Sequence, residues 1–480
     1  MITLTQKAEK LASDLLTPIS LFKREVGDRG AGVLLESAEV GGRWGRWSVC
    51  ASGALMKLSA SGGFLSVETA DPALMPLKGY SGLPFLTGLK KVLGELEILP
   101  DPSSRALPPI TRAVYGYLGY GAASLIEDRL KPLMPPGDAE AAFILPSELF
   151  LFDHAYARLH KLSLAGPRLP ERVSPSEPKG PWGVRVTPSR EEFMEAVSEA
   201  KRLISEGELI QLVLSCAFED AFAGDPFEVY RALRTINPSP YMFHLQLPEI
   251  ALSVSSPEVL VTSDGGRLRL CPIAGTRPRG RDEGEDDLFE AELAANEKEK
   301  AEHVMLVDLG RNDLGRVAKP GTVEVERFMD VERFSHVMHL TSQIRAELKD
   351  GLDEVDVVAS SFPAGTVSGA PKIRAMELIA RMEPLPRGPY AGGVGWFGLD
   401  KGRVDLDFGI TFRGAWIRGG RAAWRAGAGL VYDSDPESEW KECLAKAEAV
   451  REALEAAGAA AGGARANGAA AGGQPLDARG

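Results

Sequence analysis

A mixed, largely antiparallel α+β core is the fold class this sequence predicts, and three observations lead there. Strand-like segments recur along most of the chain, helix-like runs intervene among them, and strict β-α-β alternation is rare. The composition, 44% apolar and 25% charged over 480 residues, is that of an ordinary globular chain with enough apolar material for a large core. The length alone corresponds to about three domain-sized units or one large α/β unit.

The elements follow in order. The opening segment MITLTQKAEKLASDLL is amphipathic and lacks a continuous apolar core, so it does not read as a signal peptide. Short glycine-punctuated segments such as GVLLES (32–37) and VYGYLGYGAA (114–123) predict a strand-rich N-terminal part over 1–164. The proline-rich stretch 165–183 is a linker or long surface loop. Beyond it Ser189 and Glu192 form an S-x-x-E capping box. The helix they open has Phe193, Ala196, Val197, Ala200 and Ile204 on one face and ends at Gly207. The run LIQLVLSCAFE (209–219) alternates as a strand, and further strands are expected at 241–247, 250–256, 267–273, 392–398, 406–416 and 422–432. Helices are expected near 226–235, 288–311, 371–382 and 436–456. The catalytic part is thus bounded at 184–456, and the Ala/Gly-rich tail 457–480 reads as disordered because it cannot bury a core.

Charge and cysteine usage narrow the function. A net charge of −12 argues against a nucleic-acid binder, so an anionic substrate must be drawn by local cations or a metal. The four cysteines (Cys50, Cys216, Cys271, Cys443) stand far apart with no C-x-x-C, which suggests neither a zinc site nor a disulfide framework and makes a reduced cytoplasm the default. Nowhere do 18 apolar residues run together, so no membrane span is expected.

Two constellations carry the chemistry. In the first, CPIAGTRPRG (271–280) precedes a helix-like run with Glu299, Glu302 and His303 on neighbouring positions, beside a turn rich in anion donors. In the second, Asp435-Pro436 resembles an N-cap with proline at the first helical position, after which Glu439, Glu442 and Lys446 fall on one helix face. Two helices that each offer a Glu-x-x-Glu pair suit Mg2+, whose hard oxygen ligands differ from the His and Cys that zinc prefers. The same spacing also describes two solvated acidic faces.

LLES (34–37), NPSPYMF (237–243), SSPE (255–258), PIAGTRPRG (272–280), KEKAEHVMLVDLGRNDLGRV (298–317), FSHVMHL (334–340), GTVSGAPK (365–372), AGAG (426–429) and DPESEWKE (435–442) together resemble component I of anthranilate synthase, the aminase branch of the chorismate-utilising enzymes. The resemblance runs from about residue 10 to 455. It implies two packed, largely antiparallel sheets flanked by helices, with the active site in a cleft. It implies Mg2+-dependent conversion of chorismate and ammonia to anthranilate and pyruvate, the first committed step of tryptophan biosynthesis. By motif, Glu302 and Glu442 would be direct Mg2+ ligands, with Glu299 and Glu439 helping to hold the ion. Tyr390 and Arg413 would grip the enolpyruvyl carboxylate and Lys446 would stand near the ring carboxylate. Gly427 and Gly429 would let the backbone approach the substrate. Thr366 would lie in an anion-binding loop, Glu258 would be the acid/base residue at the leaving hydroxyl, and His339 would promote pyruvate elimination. His303 and His336 keep a structural reading. Ser37, Pro240 and Met242 resemble the lining of a tryptophan effector site.

Two positions separate the chain from relatives with other nucleophiles. Ala274 stands where aminodeoxychorismate synthases carry an attacking lysine, and Gln211 where isochorismate synthases carry a lysine base. Ammonia is then the expected nucleophile. No glutaminase module follows residue 455, so ammonia is expected from solution or from a separate glutamine amidotransferase subunit, the implied partner. Two rivals remain, an aminodeoxyisochorismate synthase that keeps the enolpyruvyl group and an inactive tryptophan-sensing subunit.

Overall fold

Two branches of antiparallel strands diverge from one long strand, Ala141–Asp153, in the computed structural model. The structure describes residues 1–27, 30–37, 45–135, 138–170, 182–333 and 337–460. The first branch runs from Trp47–Ser61 through Gly32–Glu36, Tyr241–Leu247, Ile250–Ser256, Gly414–Arg418 and Arg421–Leu430 to Gln211–Ala221. The second leaves the start of Ala141–Asp153 through Ala113–Leu118, Gly393–Gly398, Leu406–Ile410, Val259–Asp264 and Arg267–Leu270 to Val337–Glu347. Ile273–Pro278 and Glu324–Arg333 pair with that last strand. The expected α+β class with largely antiparallel sheets is what the chain forms. One pairing, Ile2–Leu11 with Leu96–Leu99, is parallel.

The two branches pack on each other. One apolar cluster unites Val33, Phe243, Leu252 and Val254 of the first branch with Tyr115 and Val394 of the second. A larger cluster lies under the helices and takes in Phe193 and Val197, Phe227 and Tyr230, and Cys443 and Val450. Strands from before and after the proline-rich stretch interleave in both branches, as Gly32–Glu36 does with Tyr241–Leu247 and Ala113–Leu118 with Gly393–Gly398. Residues 171–181 of that stretch, His336, and residues 461–480 of the tail lie outside the described residues.

Local signals explain the helices. Ser189 accepts from Glu192 N at 3.3 Å while Glu192 Oε2 accepts from Ser189 N at 2.8 Å, which closes the capping box. The helix Arg190–Ser205 then buries Phe193, Val197, Ala200 and Leu203. Two expectations need correction. The single helix expected over 288–311 is two, Glu283–Ala295 and Glu297–Gly315, broken at Asn296. The final helix, Pro436–Ala460, continues past 457, where Ala457 is buried against the core instead of starting a tail.

Candidate active site

The break at Asn296 sets the first acidic pair. Asn296 Oδ1 accepts from Glu299 N at 3.0 Å, so Asn296 is the N-cap and Glu299 lies in the first turn, where the helix dipole favours a carboxylate. Asp435 does the same for the second helix, accepting from Ser438 N at 2.9 Å and placing Glu439 in its first turn. The sequence N-E-K-E contains this cap signature, and the 288–311 reading missed it.

The tertiary fold brings the two helix starts together. Partial burial raises the pKa of Glu302, and Glu299, Glu442 and Glu439 each raise it further while Lys298 opposes them. Burial likewise raises Glu439, with Glu442 adding to it and Ser434 and two lysines opposing. Like charges are thus held near one another against their repulsion. Lys446 Nζ donates to Glu442 Oε1 at 2.6 Å and to Gly427 O at 3.2 Å, tying the acidic helix to the strand Arg421–Leu430. Among the described residues no three acidic, histidine or cysteine side chains converge as a formed metal centre. The donor set is nonetheless all oxygen and sets carboxylates near one another, which fits a hard divalent cation.

The turn at 271–280 differs from expectation. Ile273–Pro278 is a strand with an irregularity between Ala274 and Arg277, and Gly275 sits there at φ +64°. A Cβ at Gly275 would stand 2.7 Å from Leu293 Cδ1 and 3.1 Å from Glu299 Oε2, so only glycine allows this approach. The arginines are not open anion donors. Arg277 bonds Glu292 at 3.0 Å and reaches Glu299 at 3.5 Å, while Arg279 pairs with Asp286. His303, grouped with the carboxylates by spacing, turns into the core, where its Nε2 lies 2.6 Å from Ser342 Oγ.

A second group of the side chains named from the sequence lies deeper. Glu258 follows the strand Ile250–Ser256 and is buried, which pushes its carboxyl up to about 8 despite opposing effects of Thr366 and Arg413. Thr366 occupies the single turn Gly365–Val367 with its Oγ1 buried, and its hydroxyl side chain acts on the Glu258 carboxyl. Arg413 holds φ +50°, a strained conformation for a residue with a side chain, and its carbonyl accepts from Ser255 N at 3.2 Å. Burial lowers its pKa, opposed by Glu258.

His339 lies on Val337–Glu347, where its Nδ1 is 2.8 Å from Gly275 O and 3.1 Å from Thr276 Oγ1. A carbonyl only accepts, so Nδ1 carries the proton and Nε2 presents a lone pair. Burial lowers its pKa, Gly275 opposes and Arg413 adds to the lowering, which keeps the ring neutral.

The glycine floor is equally specific. A Cβ on Gly427 would stand 2.7 Å from Leu214 O and 2.8 Å from Tyr390 Oη, and one on Gly429 3.0 Å from Gln211 Nε2. Tyr390, Gly427, Gly429 and Gln211 therefore border one space. Ala274 pairs with Leu340, directly beside His339. The structure thus gathers Glu258, Thr366, Arg413 and His339 in one group, and Tyr390, Gly427, Gly429 and Lys446 in another, which Lys446 ties to Glu442.

Ser37, Pro240 and Met242 gather elsewhere. Met242 pairs with Glu36 across adjacent strands, so Ser37 follows directly beside it. Met242 is fully buried, and Ser37 Oγ is buried without a hydrogen-bond partner. Glu36 is held by Tyr230 Oη at 2.8 Å and Arg234 Nε at 2.9 Å.

This fold and this grouping of side chains define a class, and the comparisons with known proteins agree with it. The family model described as chorismate binding enzyme matches residues 85–452, and the chain belongs to that family. It is 41% identical over 485 residues to anthranilate synthase component 1 of Streptomyces coelicolor, covering 94% of this chain and 89% of the relative. It is 36% identical over 461 residues to aminodeoxychorismate synthase component 1 of Bacillus subtilis, covering 90% and 94%. Among solved structures, anthranilate synthase component I from Streptococcus pneumoniae superposes with a TM-score of 0.70 at 29% identity, covering 92% of this chain and 99% of that one.

Proposed function

We propose that this chain is the aminase subunit of an anthranilate synthase, converting chorismate and ammonia to anthranilate and pyruvate. The observation that carries the reading is the pairing of a buried, protonated Glu258 with a neutral His339 whose Nε2 is held as an acceptor. A protonated carboxyl at neutral pH is a general acid for a departing hydroxyl, and a neutral imidazole is a base for the later removal of a ring proton. Arg413 and Tyr390 orient the substrate's side-chain carboxylate, and Lys446 stands ready for the ring carboxylate. Glu299, Glu302, Glu439 and Glu442 would hold Mg2+, which when bound supplies a positive charge that neutralises a substrate carboxylate.

The nucleophile is ammonia. Ala274 offers no attacking group beside His339, and Gln211, at the Gly429 edge, offers no base. This favours the anthranilate reading over that of the aminodeoxychorismate synthase relative. A glutamine amidotransferase subunit would supply the ammonia, and tryptophan would inhibit through Ser37, Pro240 and Met242. Incubation with chorismate, Mg2+ and an ammonium salt should yield anthranilate fluorescence and an equivalent of pyruvate. A product that retains the enolpyruvyl group would turn the reading to aminodeoxyisochorismate synthesis, and no chorismate consumption would leave a sensing subunit.

A further inference from the structure

Behind the Tyr390–Gly427 edge of the cleft lies a buried group of charges that the proposed chemistry does not use. Side chains alternate along a strand, so Arg425, Gly427 and Gly429 share one face of Arg421–Leu430. The paired strand sets Ser215 opposite Gly427 and Ala217 opposite Arg425. Glu383 Oε1 accepts from Ser215 N at 2.8 Å, Ser215 Oγ at 2.9 Å and Arg387 Nη2 at 2.6 Å. Glu383 Oε2 accepts from Arg387 Nε at 3.0 Å, so the pair is bidentate. Arg425 Nη2 stands 3.3 Å from the same Oε2 without hydrogen-bond geometry.

Two guanidinium groups, 3% and 2% exposed, therefore face a single carboxylate. One positive charge is left over. Arg387 is otherwise satisfied by Val367 O and Val213 O, both at 2.7 Å. Arg425 Nη1 bonds Leu385 O and Pro386 O, but its buried Nε has no hydrogen-bond partner, and neither has the buried Tyr120 Oη near the group. The Arg387 guanidinium lies 4.7 Å from the Tyr120 ring and 5.7 Å from the Tyr390 ring. A surplus buried charge is costly, and persists where a function or a ligand's opposite charge offsets it.

We propose that Arg387, Arg425 and Glu383 form a positioning block whose surplus positive charge draws a carboxylate against Tyr390 and so selects a dianionic ligand over its neutral side-chain ester. None of the three touches the ligand. They act through the field they create in a water-poor region, where charge interactions are strong. The inference rests on the reading that Tyr390 and Arg413 receive a carboxylate.

The test is binding calorimetry on the full chain with Mg2+ and no ammonia. The probes are 3-(carboxymethoxy)benzoate and its side-chain methyl ester, and the quantity read is the ratio of their affinities. Arg425→Gln removes the surplus, and the preference for the dianion is expected to fall about tenfold. Glu383→Gln doubles the surplus and raises the preference. The double variant returns the surplus to one charge and the ratio to that of the unsubstituted chain. Arg425→Lys keeps the ratio. A merely structural role would weaken both probes alike, and equal shifts in whichever variants fold overturn the proposal. Arg413→Gln separates the two claims: an unchanged ratio there means that the carboxylate reading itself has failed.

Discussion

Two sets of carboxylates carry raised pKa values in this protein; burial is the largest cause in both, and they differ in their neighbours. Glu258 stands alone: burial dominates, and its charged neighbour Arg413 opposes the shift. Glu302 and Glu439 are half-buried, and other glutamates add to their shifts. A buried group with no like charge beside it holds a proton, whereas a half-buried cluster that also crowds like charges asks for a cation. The local sequence around each is a plain Glu, so the difference in chemistry comes from packing.

The largest expected effect tests the solitary group. Glu258→Gln keeps the shape but not the transferable proton, and turnover should fall on the order of 10³-fold. The same substitution should stabilise the fold in a pH-dependent way. The folded carboxyl titrates near 8, above the ordinary carboxylate range, so the native state holds a proton that the unfolded chain has lost. The stability contributed by that proton is full at low pH and disappears as pH rises through about 8. Glu258→Gln should therefore raise Tm by roughly a few degrees at pH 8 and little at pH 4. Equal Tm changes at both values would show that Glu258 is ionised in the fold.

The crowded group is next. Glu302→Gln and Glu442→Gln should each cost roughly 10²-fold in turnover while raising the Mg2+ concentration needed for half activity. Near-full activity at low Mg2+ would remove the ligand assignment. His339→Met should cost less chorismate consumption than either. The second step alone should slow, by about 10²-fold, so that aminodeoxyisochorismate is released and detected by mass spectrometry. Normal anthranilate output would return the histidine to a packing role.

The smallest effect lies outside the cleft. Ser37→Ala and Met242→Thr should weaken tryptophan inhibition several-fold and leave turnover without tryptophan nearly unchanged. Inhibition curves that superpose on those of the unsubstituted chain would dismiss an effector site at Ser37.

Local patterns were legible because they depend on neighbours in the chain. Ser189 and Glu192 closed their capping box as expected, and Asp435 capped the last helix. The antiparallel α+β class followed from strand and helix periodicity, and the motif run from LLES to DPESEWKE pointed to the family. The Asn296 break was also legible, since an Asn three residues before Glu299 is a local cap, but it was overlooked.

What the tertiary structure decided is everything that rests on distant partners. The meeting of Glu302 with Glu439 and Glu442, 137 and 140 residues away by number, depends on how two helices pack. The proton on Glu258 depends on exclusion of water from all sides, and the tautomer of His339 on the carbonyl of Gly275, 64 residues back. Arg387 and Arg425 look in sequence like any surface arginines. Only burial against one shared carboxylate makes them a surplus charge, because a charge counts by its surroundings and the sequence names only the charge.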